Sequence, residues 1–234
     1  RILPVAIGAG VYQLSLLIDT IVASLLPEGS ISYLFFADRV NQVPMGVVGV
    51  AVGTALLPML SRQVRLGDNE AANYSQNRAL EFTLILALPS SVALMVIAAP
   101  ITTVLFERGA FGPLETAATS GALAIYASGL PAYVLVKALT PSFFAREDTK
   151  TPVIIGILAV ILNLILNLLL MGPLLHLGIA AATSISSWFN AGLLAMVLIK
   201  RGHFSIDSQL KSRLPRIVAA STIMGVLLYT GLYG

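Results

Sequence analysis

Seven apolar runs, most of them close to the roughly 20 residues that a membrane-crossing helix needs, are strung along a chain of 234 residues. They cover 4–26, 30–60, 78–98, 116–144, 153–171, 179–199 and 217–233. Inside hydrocarbon no backbone amide or carbonyl can be left to water, so each run has to close its own hydrogen bonds as a helix. Composition agrees: 57% of the residues are hydrophobic and 11% are charged, against about 25% charged in a soluble domain, and the mean hydropathy is +0.89. The expected fold is all-α and integral to the membrane, a polytopic helical bundle of six transmembrane helices plus the start of a seventh. Cysteine is absent and His176 and His203 are the two histidines, which excludes thiolate and histidine-rich metal sites. Because the chain starts at Arg1 and stops at Gly234 within an apolar run, it is expected to be a piece of a longer protein.

The loops orient the bundle. Lysine and arginine gather on cytoplasmic loops of membrane proteins. Here one alternate set of loops and flanks carries Arg62, Arg65, Arg78, Arg146, Lys150, Lys200, Arg201, Lys211, Arg213 and Arg216; the other carries Arg108. The loops at 61–77, 145–152 and 200–216 are therefore expected in the cytoplasm, and those at 27–30, 99–115 and 172–178 outside.

The run 30–60 stands apart. It reads SISYLFFADRVNQVPMGVVGVAVGTALLPML and carries Asp38 and Arg39 side by side, then Asn41, Gln42 and Pro44. A charge at membrane depth costs about 3 kcal/mol on insertion scales and marks function by default. Pro44 removes a backbone donor and is expected to bend or break the helix. Gly49 and Gly53 form a GxxxG face for close approach of another helix. Arg39 has two readings: a structural ion pair with Asp38 or another acid, or an anion site, since guanidinium matches phosphate oxygens in a bidentate way. Asp38 would hold a neighbouring cation or orient a cavity helix. Lys137, in the run 116–144, either snorkels to the cytoplasmic interface along its own stem or adds a second positive group to the same cavity. Two further helix breaks are expected, a kink at Pro89 and an interruption at 129–131 (Gly-Leu-Pro).

A second constellation comes from Asp19, Asn163, Asn167, Ile179 and Thr183. Asn163 and Asn167 are four apart and share a helix face, as do Ile179 and Thr183. The tight connection at 172–178 makes these two helices antiparallel neighbours, with Asp19 at matching depth in the first run. Carboxylate, amide and hydroxyl oxygens suit a hard cation such as Na⁺; the alternative is interhelical hydrogen bonding. No phosphate-binding loop, dinucleotide fingerprint or zinc-protease motif is present, and no nucleophile–base arrangement stands out. The chain is not expected to be an enzyme, to need a cofactor beyond Na⁺, or to bind nucleic acid.

Three stretches, YLFFADRVNQVPMGVVGVAVGTALLPMLSR (33–62), LPSSVALMVIAAPITTVLFERGAF (88–111) and VKALTPSFFAREDTKTP (136–152), resemble the MurJ (MviN) family, the lipid II flippases of the bacterial inner membrane. Their order and spacing match along essentially the whole chain. The resemblance implies one lobe of a two-lobe MOP/MATE-like transporter: residues 1–199 as the second six-helix lobe (family helices seven to twelve), 200–216 as a cytoplasmic loop and 217–234 as the start of helix thirteen. It implies an N-terminal lobe of the same protein as partner, without which this piece should not transport. It further implies alternating access, and lipid II, undecaprenyl-diphosphate carrying a disaccharide-pentapeptide, as the cargo moved from the inner to the outer leaflet among the membrane lipids. Arg39 falls on a cavity arginine of the family proposed to meet the diphosphate, with Asp38 its usual acidic neighbour and Lys137 a basic position of helix ten. Asp19, Asn163, Asn167, Ile179 and Thr183 align with a sodium site of some members, in which position 167 is a carboxylate; the amide here removes one negative charge. The competing function is a multidrug/cation antiporter or polysaccharide-lipid exporter of the same superfamily.

Overall fold

A computed structural model of the chain describes residues 17–233. Apart from short turns and one isolated bridge between Arg108 and Phe111, these residues are helical. The helices are α1 (described over 17–23), α2 (Ser30–Arg65), α3 (Asn69–Val96), α4 (Ala98–Phe106), α5 (Pro113–Phe144), α6 (Lys150–Leu174), α7 (His176–Lys200) and α8 (Ser208–Tyr233). Five of them, α3, α5, α6, α7 and α8, are long and apolar enough to cross a membrane. α2 has 36 residues, about 54 Å at 1.5 Å per residue, longer than the hydrocarbon core of about 30 Å. The all-α membrane bundle is as expected, but the described residues hold five candidate spans where the sequence predicts six and the start of a seventh: α2 is not among the five, and the first run is described only from residue 17. Residues 1–16, including Arg1 and most of the first apolar run, lie outside the described residues.

The helix bounds correct the sequence reading at several points. α2 is not broken at Pro44: it runs continuously through Pro44 and Pro58. α3 likewise passes through Pro89, and α5 through the Gly-Leu-Pro stretch at 129–131. In α5 the reason is visible. Pro131 has no N–H for the carbonyl of Ala127 four residues back, and the Ser91 hydroxyl of α3 donates to that carbonyl at 2.6 Å. A neighbouring helix thus supplies the hydrogen bond that proline withholds. The interruption falls instead at Ile97, between α3 and α4. Pro100 leaves the Val96 carbonyl without its donor there, and the expected loop at 99–115 is helical over 99–106, within the nine-residue α4.

The turns are shorter than expected. Asp68 caps α3, its carboxylate accepting from the Ala71 amide at 2.9 Å, which reduces the 61–77 loop to 66–68. Glu115 reaches back to the Gly112 amide at 2.8 Å, with Pro113 opening α5. The 172–178 turn contracts to Leu175, held at φ +51°. Residues 208–216, expected in a loop, form the first turns of α8.

α5 is the axis of the bundle: it touches α2, α3, α4, α6 and α7, and buries Leu123, Leu130, Val134, Leu139 and Phe143. Lipid tails are as apolar as these side chains, so the gain is close packing rather than escape from water. Small residues permit it: a Cβ on Gly129 would lie 2.8 Å from the Ser184 hydroxyl of α7. Polar groups pin the layers. Gln76 of α3 donates to the Ala138 carbonyl of α5 at 2.9 Å and accepts from Ser142 at 2.5 Å. α6 packs chiefly on α7, and α8 on α3.

The three basic turns meet at one end of the bundle. Asn73 and Asn77 of α3 hold the 201–207 segment through Ser205 and Asp207 over 2.8–3.1 Å. Arg78 pairs with Asp207 at 2.5 Å and also with Glu81, which pairs in turn with Arg213 of α8. On the other side Arg201 reaches Asp148 at 2.5 Å and Thr151 at 3.0 Å, and Arg146 donates to the His203 carbonyl at 3.3 Å. Arg201 and Arg213 thus tie the 201–207 strap and α8 to the body.

Candidate functional site

Arg39 sits one quarter of the way along α2, on a stripe four residues apart that is turned away from the rest of the bundle. Phe35, Val43 and Val47 on that stripe are 51%, 67% and 68% exposed. The other faces of α2 bury Leu34, Ala37, Asn41 and Val48. The guanidinium lies over the Phe35 ring, 4.7 Å from its centroid, and donates to Gln42 Oε1 at 3.4 Å. It forms no ion pair among the described residues. Asp38 does not neutralise it: adjacent helix residues point about 100° apart, and the Asp38 carboxylate accepts instead from the Gln42 amide. Gln42, read in sequence only as one polar residue among several, is thus the link between the two charges. Its spacing of three from Arg39 and four from Asp38 is the available signal. Among the described residues Arg39 is an exposed cation on an apolar face, in no ion pair.

Lys137 is not beside Arg39. It lies on α5 with its stem across Gly49 of α2: a Cβ at Gly49 would fall 2.7 Å from Lys137 Cδ and 2.8 Å from Nζ. It borders a cavity of about 390 Å³ with Gly49, Leu57, Val136, Thr140, Pro141 and Phe144. Gly49 therefore admits a lysine stem as well as a helix; its companion Gly53 falls outside the described side chains. The ammonium does not run out along α5 to the basic end.

The second constellation comes together in one buried cluster. Asn167 Nδ2 donates to Asp19 Oδ1 at 2.6 Å and to Asn163 Oδ1 at 3.2 Å. The Thr183 hydroxyl lies 3.2 Å from Asp19 Oδ2 and 2.9 Å from the Ile179 carbonyl. Asn163 Nδ2 lies 3.3 Å from Thr183 Oγ1. Asn163 and Asn167 are 1% and 0% exposed. A sodium ion fits this set by donor type: one carboxylate, two amide oxygens, a hydroxyl and a backbone carbonyl, all hard. Asn167 Oδ1 is buried without a hydrogen-bond partner, an oxygen free for a cation. Against it stands the charge count, with Asp19 the single ionisable group.

The fold and the sites together define a polytopic α-helical membrane bundle, with an exposed cation on one face and a polar knot inside. Comparisons with known proteins carry this further. The family model described as "Lipid II flippase MurJ" matches residues 1–232. The "Probable lipid II flippase MurJ" of Rhizobium meliloti (strain 1021) is 51% identical over 228 residues, 97% of this chain and 42% of that protein. That of Rickettsia prowazekii (strain Madrid E) is 40% identical over 225 residues, 96% of this chain and 44% of that protein. The solved structure "Lipid II flippase MurJ, inward closed conformation" aligns with TM-score 0.83 at 32% identity, covering 96% of this chain and 46% of that one. An outward-facing multidrug resistance MATE family transporter of the MOP superfamily aligns with TM-score 0.75 at 17% identity, covering 97% and 51%; this shows the shared fold alone. The chain belongs to the lipid II flippase MurJ family, and it is a multi-pass protein of the bacterial inner membrane. It spans less than half the length of these curated relatives.

Proposed function

We propose that this chain is the second lobe of a lipid II flippase, with 217–234 the start of the helix after it. In this reading a first lobe of the same protein closes over the α2 face, and the pair moves undecaprenyl-diphosphate-linked disaccharide-pentapeptide from the inner to the outer leaflet. The activity is transport, not bond chemistry. One observation carries it: among the described residues Arg39 is a guanidinium in no ion pair, on an apolar face that the lobe leaves bare. A lipid-linked diphosphate supplies the anion such a cation needs, and arginine binds it through two parallel hydrogen bonds. Gln42 holds Asp38 and steadies Arg39, so the acid does not compete for the guanidinium. Asp19, Asn163, Asn167, Thr183 and the Ile179 carbonyl are the residues that would hold Na⁺, a charge able to tie the cargo's movement to an ion gradient. A multidrug antiporter would favour an acidic cavity for cationic drugs, whereas the free charge on this face is basic.

The experiment is complementation with the full-length protein. Arg39→Ala at normal expression should fail to replace the host's own flippase, and Arg39→Lys should restore part of the activity. Growth of Arg39→Ala equal to wild type would remove the role given to Arg39.

A further inference from the structure

The four ion pairs among the described residues leave Lys137 out, and no hydrogen bond there engages its ammonium. It is an exposed cation in a membrane-spanning helix, seven residues before the end of α5 at Phe144. The cavity beside it is walled by Leu57, Val136, Pro141 and Phe144, with Thr140 its other polar side chain and no acid. Burial of a lysine stem is ordinary, but an ammonium beside an apolar wall, in no ion pair among the described residues, suits an anion from outside the lobe.

Its position relative to Arg39 is fixed by α2. The ammonium rests at Gly49, ten residues nearer the basic end than Arg39, a separation of about 15 Å along the axis. The Arg39 guanidinium leans the other way, over Phe35. One phosphate cannot meet both cations in this arrangement. Lysine binds phosphate as a point charge, and the apolar wall would receive the first part of a hydrocarbon tail.

We propose that Lys137, seated over Gly49, is a second phosphate contact, on the basic-end side of Arg39. This rests on the flippase reading above and adds to it an inner contact distinct from the outer one at Arg39. Two lipids carry the required chemistry, the lipid-linked diphosphate cargo and a resident anionic phospholipid, and the test separates them.

Full-length protein in nanodiscs would be titrated with undecaprenyl diphosphate, once in neutral lipid and once with phosphatidylglycerol present. In neutral lipid, Lys137→Gln should weaken binding about tenfold, the loss of one charge-assisted hydrogen bond, and Lys137→Arg should retain it. Gly49→Ala, which takes the ammonium's seat, should weaken binding in the same direction while Lys137 is still present. If phosphatidylglycerol also weakens wild-type binding but not Lys137→Gln binding, the resident headgroup shares the contact; if it weakens neither, the cargo alone uses it, and either result supports the proposal. Wild-type affinity in Lys137→Gln in both lipids, with Arg39→Ala still impaired, would overturn the inner contact and leave the flippase reading standing. Wild-type affinity in both variants would sink the two together. Thermal midpoints of Lys137→Gln and Gly49→Ala, matched to wild type, confirm that each variant is folded.

Discussion

Asn167 sets how the buried knot around Asp19 responds to sodium. Its amide nitrogen already serves Asp19 and Asn163, while its oxygen serves nothing. Replacing that amide with a carboxylate adds the negative charge a hard cation seeks. Asn167→Asp should therefore enlarge the sodium-dependent rise in thermal midpoint of the full-length protein, and Asp19→Asn should abolish it. Each tenfold gain in affinity adds about 1.4 kcal/mol of stabilisation once sodium is well above its dissociation constant. A sodium-dependent rise that survives Asp19→Asn would place the ion elsewhere. The grouping of Asn163, Asn167, Ile179 and Thr183 is legible in the amino-acid sequence, because four-residue spacing on two helices joined by a tight turn brings their side chains together; Asp19, on α1, is legible only as an acid in an apolar run. Arg39 is legible there as a charge out of place. Its ring partner Phe35 and its link Gln42 obey the same periodicity, but neither carries a charge that would single it out. The seat of Lys137 is not legible, since nothing local says which of several glycines on α2 a lysine of α5 will cover.

At the level of elements, the proline positions mislead. Each proline removes one donor, and a reading confined to one helix turns that loss into a break. Inside a bundle the orphaned carbonyl can be served from next door, as Ser91 serves Ala127, and the helix continues. The contact between α3 and α8 is equally hidden in sequence, because Glu81 and Arg213 are 132 residues apart. Glu81 is 4% exposed and lies between Arg78 and Arg213. Glu81→Gln would leave two arginines facing a neutral amide, at a cost of about 2 kcal/mol. The expected readout is easier release of α8, seen as a lower unfolding midpoint and faster proteolysis near 201–207. Unchanged values would mean that Glu81 does not hold α8.

Across the whole molecule, the basic end behaves as one stitched surface. Burial raises Asp148, but hydrogen bonds from Thr151 and Arg201 and the Arg201 charge outweigh it and hold its carboxyl below the usual range. Burial and the nearby Arg146 and Arg201 lower His203, against a small opposing pull from Asp148. Both groups bind fewer protons folded than unfolded. Their contribution is therefore complete above the ordinary histidine value of about 6.5 and declines as pH falls, first through His203 and then through Asp148. Thermal midpoints measured from about pH 7.5 down to about pH 2 should drop in two stages, the lower one beginning only near the ordinary carboxylate value of about 3.9, and His203→Gln should erase the upper one. A profile with its upper stage intact in that variant would exclude His203. The strap has a further consequence, for biogenesis. Ribosomes add roughly 5–20 residues per second, so Glu81 enters the bilayer boundary on the order of ten seconds before Arg213 has been made. Until then the nascent α3 has Arg78 alone to answer that carboxylate, and the basic end cannot lock before α8 emerges.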